Sequence, residues 1–111
     1  MNKVFFSGNL TRDPELRHTN TGKPYTRTGL AVHRRVKDEV DFFDLVMWDK
    51  QAEFAAKYLH KGSRVLVEGR LQTNSFSKDG VERKGFEVIV ENVEFGDSKK
   101  KDADDDVDIP F

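Results

Sequence analysis

The sequence contains no cysteine, only three prolines and no long hydrophobic run. The lack of cysteine excludes a disulfide framework and thiolate metal sites, and it is compatible with a reducing cytoplasm. No segment approaches the roughly 20 apolar residues of a membrane span, and the first eight residues do not have the pattern of a signal peptide. We therefore expect a soluble protein that is not exported.

The chain also has little that could carry out catalysis. Its three histidines, His18, His33 and His60, fall on separate segments, and none accompanies a nucleophile signature. There is no phosphate-binding glycine loop. The run Asp104 to Asp106 lacks the fixed octahedral geometry that Mg²⁺ requires. We predict a protein that is not an enzyme and that needs no metal or cofactor.

Length and charge divide the chain into a body and an appendage. The 111 residues are enough for one domain with a modest core and a short extension. Residues 1–95 carry a net charge of +2, whereas residues 96–111 carry −3, so the overall charge of −1 hides two regions of opposite sign. The body can approach a polyanion and the extension cannot, although +2 alone does not establish nucleic-acid binding.

Alternating, β-branched and aromatic segments predict five strands in the body. They cover residues 3–10, 26–35, 41–48, 64–76 and 84–95. Charged or glycine-containing breaks separate them, and Asp79-Gly80 is a strong hairpin signal. Three strands, one helix and two strands is the order of the OB-fold, a small five-stranded Greek-key barrel that binds oligonucleotides or oligosaccharides.

The helix is predicted between the third and fourth strands. Its buried face follows the spacing i, i+3, i+4 and i+7 at Ala52, Ala55, Ala56 and Leu59. Asp49 is placed as its N-cap and Gly62 as its C-cap. The cations expected in its last turn are Lys57, His60 and Lys61.

Aromatic residues are numerous for so polar a sequence, and strand parity limits where they can lie. Large apolar residues are adjacent at Phe5-Phe6, Phe42-Phe43 and Met47-Trp48. Neighbours in a strand point to opposite faces, so one member of each pair is exposed or in an interface. Phe76 stands among polar residues at a hairpin tip, beyond reach of a core. Exposed rings among cations favour single-stranded nucleic acid, whose bases stack on rings at ~1–3 kcal/mol each.

The extension has two parts. Residues 96–103 are interpreted as a flexible linker with a reach on the order of 15 Å. Residues 104–111 combine carboxylates with an apolar end, which suits a small apolar pocket rimmed by cations on a partner protein. The residues of this partner-binding tip are Asp104, Asp105, Asp106, Asp108, Ile109, Pro110 and Phe111. A solubilising acidic tail is the alternative, but a terminal aromatic ring does not serve solubility.

Four separated segments, in order, resemble the bacterial and phage single-stranded DNA-binding protein family. Residues 1–17, from Met1-Asn2-Lys3-Val4 through Gly8 to Arg17, are similar to the family's opening, and residues 41–48 to its third strand. Residues 58–71 resemble its helix end and fourth strand, and residues 104–111 its acidic tip.

The resemblance implies a homotetramer of OB-folds that coats single-stranded DNA without sequence preference. It also implies that the tip recruits replication, recombination and repair proteins, in the cytoplasm of a bacterial cell or phage-infected host and associated with the nucleoid. Phe42, Trp48 and Phe76 resemble the family's base-stacking rings. The predicted DNA-binding residues are Trp48, Phe42, Phe76, Arg34, Arg35, Lys50, Arg70, Lys3, Arg17 and Lys78.

The sequence also departs from the family's pattern. Val36 stands where the family usually has an aromatic ring, and the turn at residues 37–39 is shorter than usual. Gln72, Asn74 and Ser75 replace positions that are often basic. These differences predict weaker binding or a smaller site. They leave two alternatives open, an OB-fold adaptor acting mainly through protein contacts and, more distantly, an RNA-binding protein.

Overall fold

The computed structural model describes residues 1–95, except for the side chains of Phe76, Lys78, Arg83 and Phe95. The proposed linker and acidic tip lie outside the described residues, and their division from the body remains a prediction. The described strands are β1 (Val4–Leu10), β2 (Arg17–His18), β3 (Pro24–His33), β4 (Val40–Trp48), β5 (Arg64–Lys78) and β6 (Val81–Phe95). One helix, α1 (Asp49–Tyr58), lies between β4 and β5.

Five of the strands close into a barrel. The sheet order is β1-β5-β6-β4-β3, and β1 also pairs with β3, which joins the two ends. All pairings are antiparallel except β4 with β6, which is parallel. This topology, with a helix after the third barrel strand, confirms the predicted five-stranded barrel of the OB type. The two-residue β2, which pairs with β3 outside the barrel, was not predicted.

The barrel interior is filled by alternate residues of every barrel strand. Its fully buried side chains include Leu30, Leu45, Met47, Val65 and Val88. Helix α1 packs against β3, β4 and β6, and it adds Ala52 and Ala55 to the same core, as the helical spacing predicts.

Two glycines allow the barrel strands to approach closely. A Cβ atom on Gly8 of β1 would collide with the backbone carbonyl of Ala31 on β3, at the pairing that closes the barrel. A Cβ atom on Gly69 of β5 would collide with the carbonyl of Ile89, beside a β-bulge between β5 and β6. Only glycine fits where two backbones come this near.

The hairpin between β5 and β6 ends as its sequence predicts. Asp79 and Gly80 have φ values of 53° and 76°, so both central residues of the turn have positive φ. This is the type I′ geometry that matches the twist of paired strands. The two strands run to Lys78 and Val81, several residues beyond the predicted ends.

The predicted helix ends are wrong. Trp48 occupies the N-cap position, while Asp49 is the first helical residue, with a φ of 55° and an ion pair to Lys23. Leu59 is the C-cap. Gly62 instead belongs to the following turn, where its N–H donates to the Leu10 carbonyl at 2.8 Å. No described helix is long and apolar enough to cross a membrane.

Candidate nucleic-acid interface

One surface of the barrel brings together three of the ten predicted binding residues, Phe42, Trp48 and Arg70. On β4, Phe43, Leu45 and Met47 point inward, so Phe42 and Trp48 point outward. The strand register places outward residues of β3, β6 and β5 beside them. We call this surface the outer face; it comprises Tyr25, Arg27, Ala31, Phe42, Asp44, Val46, Trp48, Arg70, Gln72, Asn74, Glu87 and Ile89, of which Val46 is covered by its neighbours.

Trp48 lies at one end of the outer face in a defined setting. Its ring is partly exposed, and its centroid lies 5.2 Å from that of Tyr25, its register partner on β3, with the two rings tilted by 36°. The Lys23 ammonium lies 5.4 Å from the Trp48 ring centroid, within cation–π range, and 3.5 Å from the Asp49 carboxylate. These neighbours orient the ring while leaving part of it open to solvent.

Phe42 lies toward the other end of the same strand and is 70% exposed. Its register partner is Ala31, whose methyl group is too small to cover the ring. Phe42 and Trp48 are six residue steps apart along the extended strand, a distance of roughly 20 Å. The prediction that the members of each adjacent apolar pair point to opposite faces is confirmed for all three pairs. In the other two pairs, Phe5 is 67% exposed and Met47 is fully buried.

Two predicted cations are already compensated by carboxylates. Arg34 donates two hydrogen bonds to Asp41, of 3.0 and 2.9 Å, and one of 2.9 Å to Glu39. The hydrogen bonds to Asp41 raise the pKa of Arg34 and lower that of Asp41. These side-chain bonds stabilise the β3–β4 turn. The backbone N–H of Arg34, which donates to the Glu39 carbonyl, adds to them.

Lys3 is held in a similar way on a different part of the barrel. Its ammonium lies 2.8 Å from Glu91 and 3.1 Å from Glu68. The hydrogen bond to Glu91 raises the pKa of Lys3 and lowers that of Glu91. Arg34 and Lys3 therefore offer less net charge to a phosphate than the sequence suggests.

The other predicted cations lie in varied environments. Arg35 and Lys50 are exposed and form no ion pair within residues 1–95. Arg70 is partly buried on the outer face and helps to lower the pKa of Glu91. Arg17 forms an exposed ion pair with Glu15 at 3.2 Å. The backbone of Phe76 pairs with Arg83 in the β5–β6 hairpin, while the side chains of Phe76 and Lys78 lie outside the described atoms.

Sequence reasoning missed an arginine-lined cleft at the β3 side of the outer face. The cleft has a volume of about 300 Å³ and is lined by Arg12, Asp13, Glu15, Arg17 and Arg27. Gly29 lies beside it, and a Cβ atom there would collide with the Thr11 hydroxyl. Outward parity along β3 could have identified Tyr25 and Arg27, but only the register brings them next to Trp48 and the cleft.

The centre of the outer face holds two carboxylates, here called the acidic centre, although Arg27 compensates one of them; the sequence did not indicate this pair. Asp44 and Glu87 each lie one residue before the parallel pair Leu45–Val88, so they are cross-strand neighbours. Glu87 is largely buried and accepts a 2.9 Å hydrogen bond from Arg27. Asp44 is exposed and forms no ion pair among the described residues. A phosphate would be repelled here, so the rings at either side must contribute much of any binding energy.

Residues 1–96 match the family model described as the single-strand binding protein family. The chain is 41% identical to single-stranded DNA-binding protein 2 of Clostridium acetobutylicum over 133 aligned positions, covering the whole of both. It is 46% identical to a single-stranded DNA-binding protein of Clostridium tetani, over 86% of this chain and 70% of the relative. A Fusobacterium nucleatum single-stranded DNA-binding protein is 39% identical, over 89% and 69% respectively.

Proposed function

Since the chain belongs to the single-strand binding protein family, we propose that it binds single-stranded DNA on the outer face without sequence preference, and so coats and protects it. The observation that carries this proposal is the pair of outward rings, Phe42 and Trp48, on one strand. Every base has a stackable face, so two rings bind any sequence. The relatives' names support the choice of single-stranded DNA.

Binding would combine stacking with peripheral charge. Bases would stack on Trp48 and Phe42 while Arg35, Lys50 and Arg12 of the cleft hold phosphates around the acidic centre, since Glu15 and Glu87 already compensate Arg17 and Arg27. The compensated charges of Arg34 and Lys3 support only a modest electrostatic contribution. The dependence of affinity on salt should therefore be shallower than the number of basic residues suggests, because only counterions displaced by net positive charge contribute.

The first test uses the chain's only tryptophan as its reporter. Titration with oligo(dT) should quench Trp48 fluorescence in a saturable way, and raising the salt concentration should weaken the binding. Replacing Phe42 by leucine should lower the affinity about fivefold or more. Tyr58→Leu is the control, because Tyr58 is also an exposed ring but lies on α1, outside the outer face. Absence of a complex by both fluorescence and gel mobility would refute the proposal.

We also propose that the protein assembles as a homo-oligomer, in keeping with the predicted tetramer. Phe5 and Leu66 are both exposed apolar side chains, and the β1–β5 register puts them close together on the side of the barrel away from Trp48. Such a patch fits contact with a second copy and leaves the outer face available to DNA. Light scattering of the full chain should give a mass of several protomers, whereas a monomer would contradict this part.

The acidic tip is proposed to recruit replication, recombination and repair proteins. Deleting residues 104–111 should leave oligo(dT) binding unchanged or slightly tighter, because a competing polyanion is removed, and should abolish capture of a helicase or clamp-loader protein. Deleting residues 109–111 alone separates the apolar end from the carboxylates. Capture that survives both deletions would exclude the tip as the partner-binding segment.

The alternative is an OB-fold adaptor that acts mainly through protein contacts. The acidic centre of the outer face and the compensated Arg34 favour it. The two functions predict different effects of Trp48→Ala, which weakens DNA binding only if the outer face binds DNA. The anisotropy of a labelled oligonucleotide measures this binding. Competition between oligo(dT) and oligo(U) in the same assay separates DNA from RNA binding.

A further inference from the structure

A second concave surface lies on the β5–β6 hairpin. It has a volume of about 580 Å³ and is lined by Thr73, Asn74, Ser75, Lys84, Gly85 and Phe86, of which Asn74 also belongs to the edge of the outer face. No residue of this lining carries a carboxylate. In this respect it differs from the outer face, whose centre holds Asp44 and Glu87.

Phe86 gives this cavity an aromatic wall. Alternation along β6 puts Phe86 on the same side as the core residues Val88 and Val90. It continues a row of rings out of the barrel: the Phe6 and Phe43 centroids are 4.3 Å apart, and the Phe43 and Phe86 centroids are 6.4 Å apart. Phe6 and Phe43 are partly buried against the core, but Phe86 is 49% exposed. The core therefore supports this ring from one side and does not cover the other.

Polar groups surround the open side of the ring. Thr73 is the register partner of Phe86, and Ser75 is the partner of Lys84. Lys84 precedes Phe86 by two residues, so it lies on the same side of the strand, and it is exposed without an ion pair in the described part of the chain. An aromatic surface, an ammonium group and two hydroxyls together match a base, its phosphate and its sugar.

We propose that this hairpin cavity is a second nucleotide-binding site, in which a base stacks on Phe86 and its phosphate contacts Lys84. The inference rests on the proposed function, since the occupant is an unpaired nucleotide of the strand that the outer face also binds. Because Phe86 points to the opposite side of β6 from the outer face, the DNA would pass around the hairpin edge to reach it. A subunit contact is disfavoured as the occupant, because the lining around the ring is polar.

The test compares oligonucleotides that do and do not reach both sites. Full-length wild type, Phe86→Leu and Lys84→Gln are titrated with oligo(dT) of about 6 and about 35 nucleotides, chosen to span less and more than one OB-fold site, with Trp48 fluorescence as the signal. Phe86→Leu keeps an apolar contact with Phe43 but removes the stacking surface. Tyr58→Leu serves as the control for loss of an exposed ring, because Tyr58 lies on α1, outside the outer face and the proposed contact between copies.

The expected result is a loss of affinity of about fivefold or more for the long oligonucleotide in Phe86→Leu, with fewer nucleotides bound per protomer and unchanged affinity for the short one. Lys84→Gln should reduce the salt slope for the long oligonucleotide by about 0.7. Unchanged long-oligonucleotide binding in both variants, an equal loss at both lengths, or a changed oligomer mass in Phe86→Leu would overturn the inference. Failure of wild type to bind either length would instead refute the proposed function.

Discussion

Thr26 and Thr28 lie two residues apart on the inner side of β3, both fully buried, but only Thr28 uses its hydroxyl: it donates a 2.8 Å hydrogen bond to the Arg12 carbonyl. The Thr26 hydroxyl has no partner within residues 1–95. Valine at position 26 should therefore stabilise the fold by about 1 kcal/mol, since it removes an unsatisfied polar group at constant shape. Valine at position 28 should destabilise by a similar amount. Urea denaturation measures both, and equal effects would contradict the difference.

The contact between Tyr25 and Trp48 should matter for binding although Tyr25 itself is not a predicted DNA ligand. Tyr25→Ala removes the ring that supports Trp48 and should weaken oligo(dT) binding about two- to tenfold, with a red-shifted Trp48 emission. Tyr25→Phe keeps the ring and should resemble wild type. Wild-type affinity in Tyr25→Ala would show that Trp48 needs no such support.

Arg34 and Arg35 are adjacent, but their charges are not equivalent. Arg35→Gln should reduce the slope of log affinity against log salt by about 0.7, the value for one phosphate contact on single-stranded DNA. Arg34→Gln should change the slope less, because Asp41 and Glu39 already compensate its charge. Salt titrations of both variants with oligo(dT) measure the two slopes, and equal slopes would mean that Arg34 leaves its carboxylates to bind DNA.

The β3–β4 turn should keep its ion pair to unusually low pH. The Arg34 hydrogen bond lowers the pKa of Asp41 from its ordinary 3.8. A carboxyl group with a lowered pKa stabilises the folded state at pH values above its ordinary pKa. This stabilisation is lost as the pH falls through the lowered pKa. NMR titration of the Asp41 carboxyl should show a return toward 3.8 in Arg34→Gln. An unchanged titration would assign the shift to another cause.

The exposed carboxylate at the centre of the outer face should weaken DNA binding. Asp44→Asn removes its charge at nearly constant shape and should tighten oligo(dT) binding about two- to fivefold at low salt, the range expected for one exposed charge interaction. Glu53→Gln makes the same kind of change on an exposed position of α1 and should have little effect. If Asp44→Asn binds oligo(dT) no more tightly than Glu53→Gln does, DNA does not cross the centre of the outer face.

Local patterns predicted much of the fold. Alternation predicted that Phe42 and Phe43, like Met47 and Trp48, face opposite sides of the strand, and Asp79-Gly80 predicted its turn, because these features depend on neighbours in sequence. The helix ends were mispredicted for a tertiary reason: Asp49 pairs with Lys23, just before β3, rather than capping α1, and the Gly62 N–H donates to the Leu10 carbonyl.

The candidate site was less predictable than the fold. Contact between Tyr25 and Trp48, and the pairing of Arg27 with Glu87, arise from strand register, which composition does not specify. Counting basic residues also overstated the positive charge available to DNA. The carboxylates of Glu68 and Glu91, which compensate the charge of Lys3, are distant from it in sequence. The alternation of inward and outward side chains can be predicted from neighbouring residues in the sequence. The cross-strand partners of each residue are known only from the structure of the closed barrel.

The parallel pairing of β4 with β6 has a consequence for how the protein folds. The β3–β4 and β5–β6 hairpins are local and can form early, whereas the Leu45–Val88 pairing joins them across the helix, all of β5 and the first half of β6. During synthesis the chain cannot complete this step until β6 has left the ribosome. Because the outer face draws residues from both hairpins, nascent protein should be unable to bind DNA through it until barrel closure, and mutations that slow closure should delay the appearance of binding activity in refolding experiments.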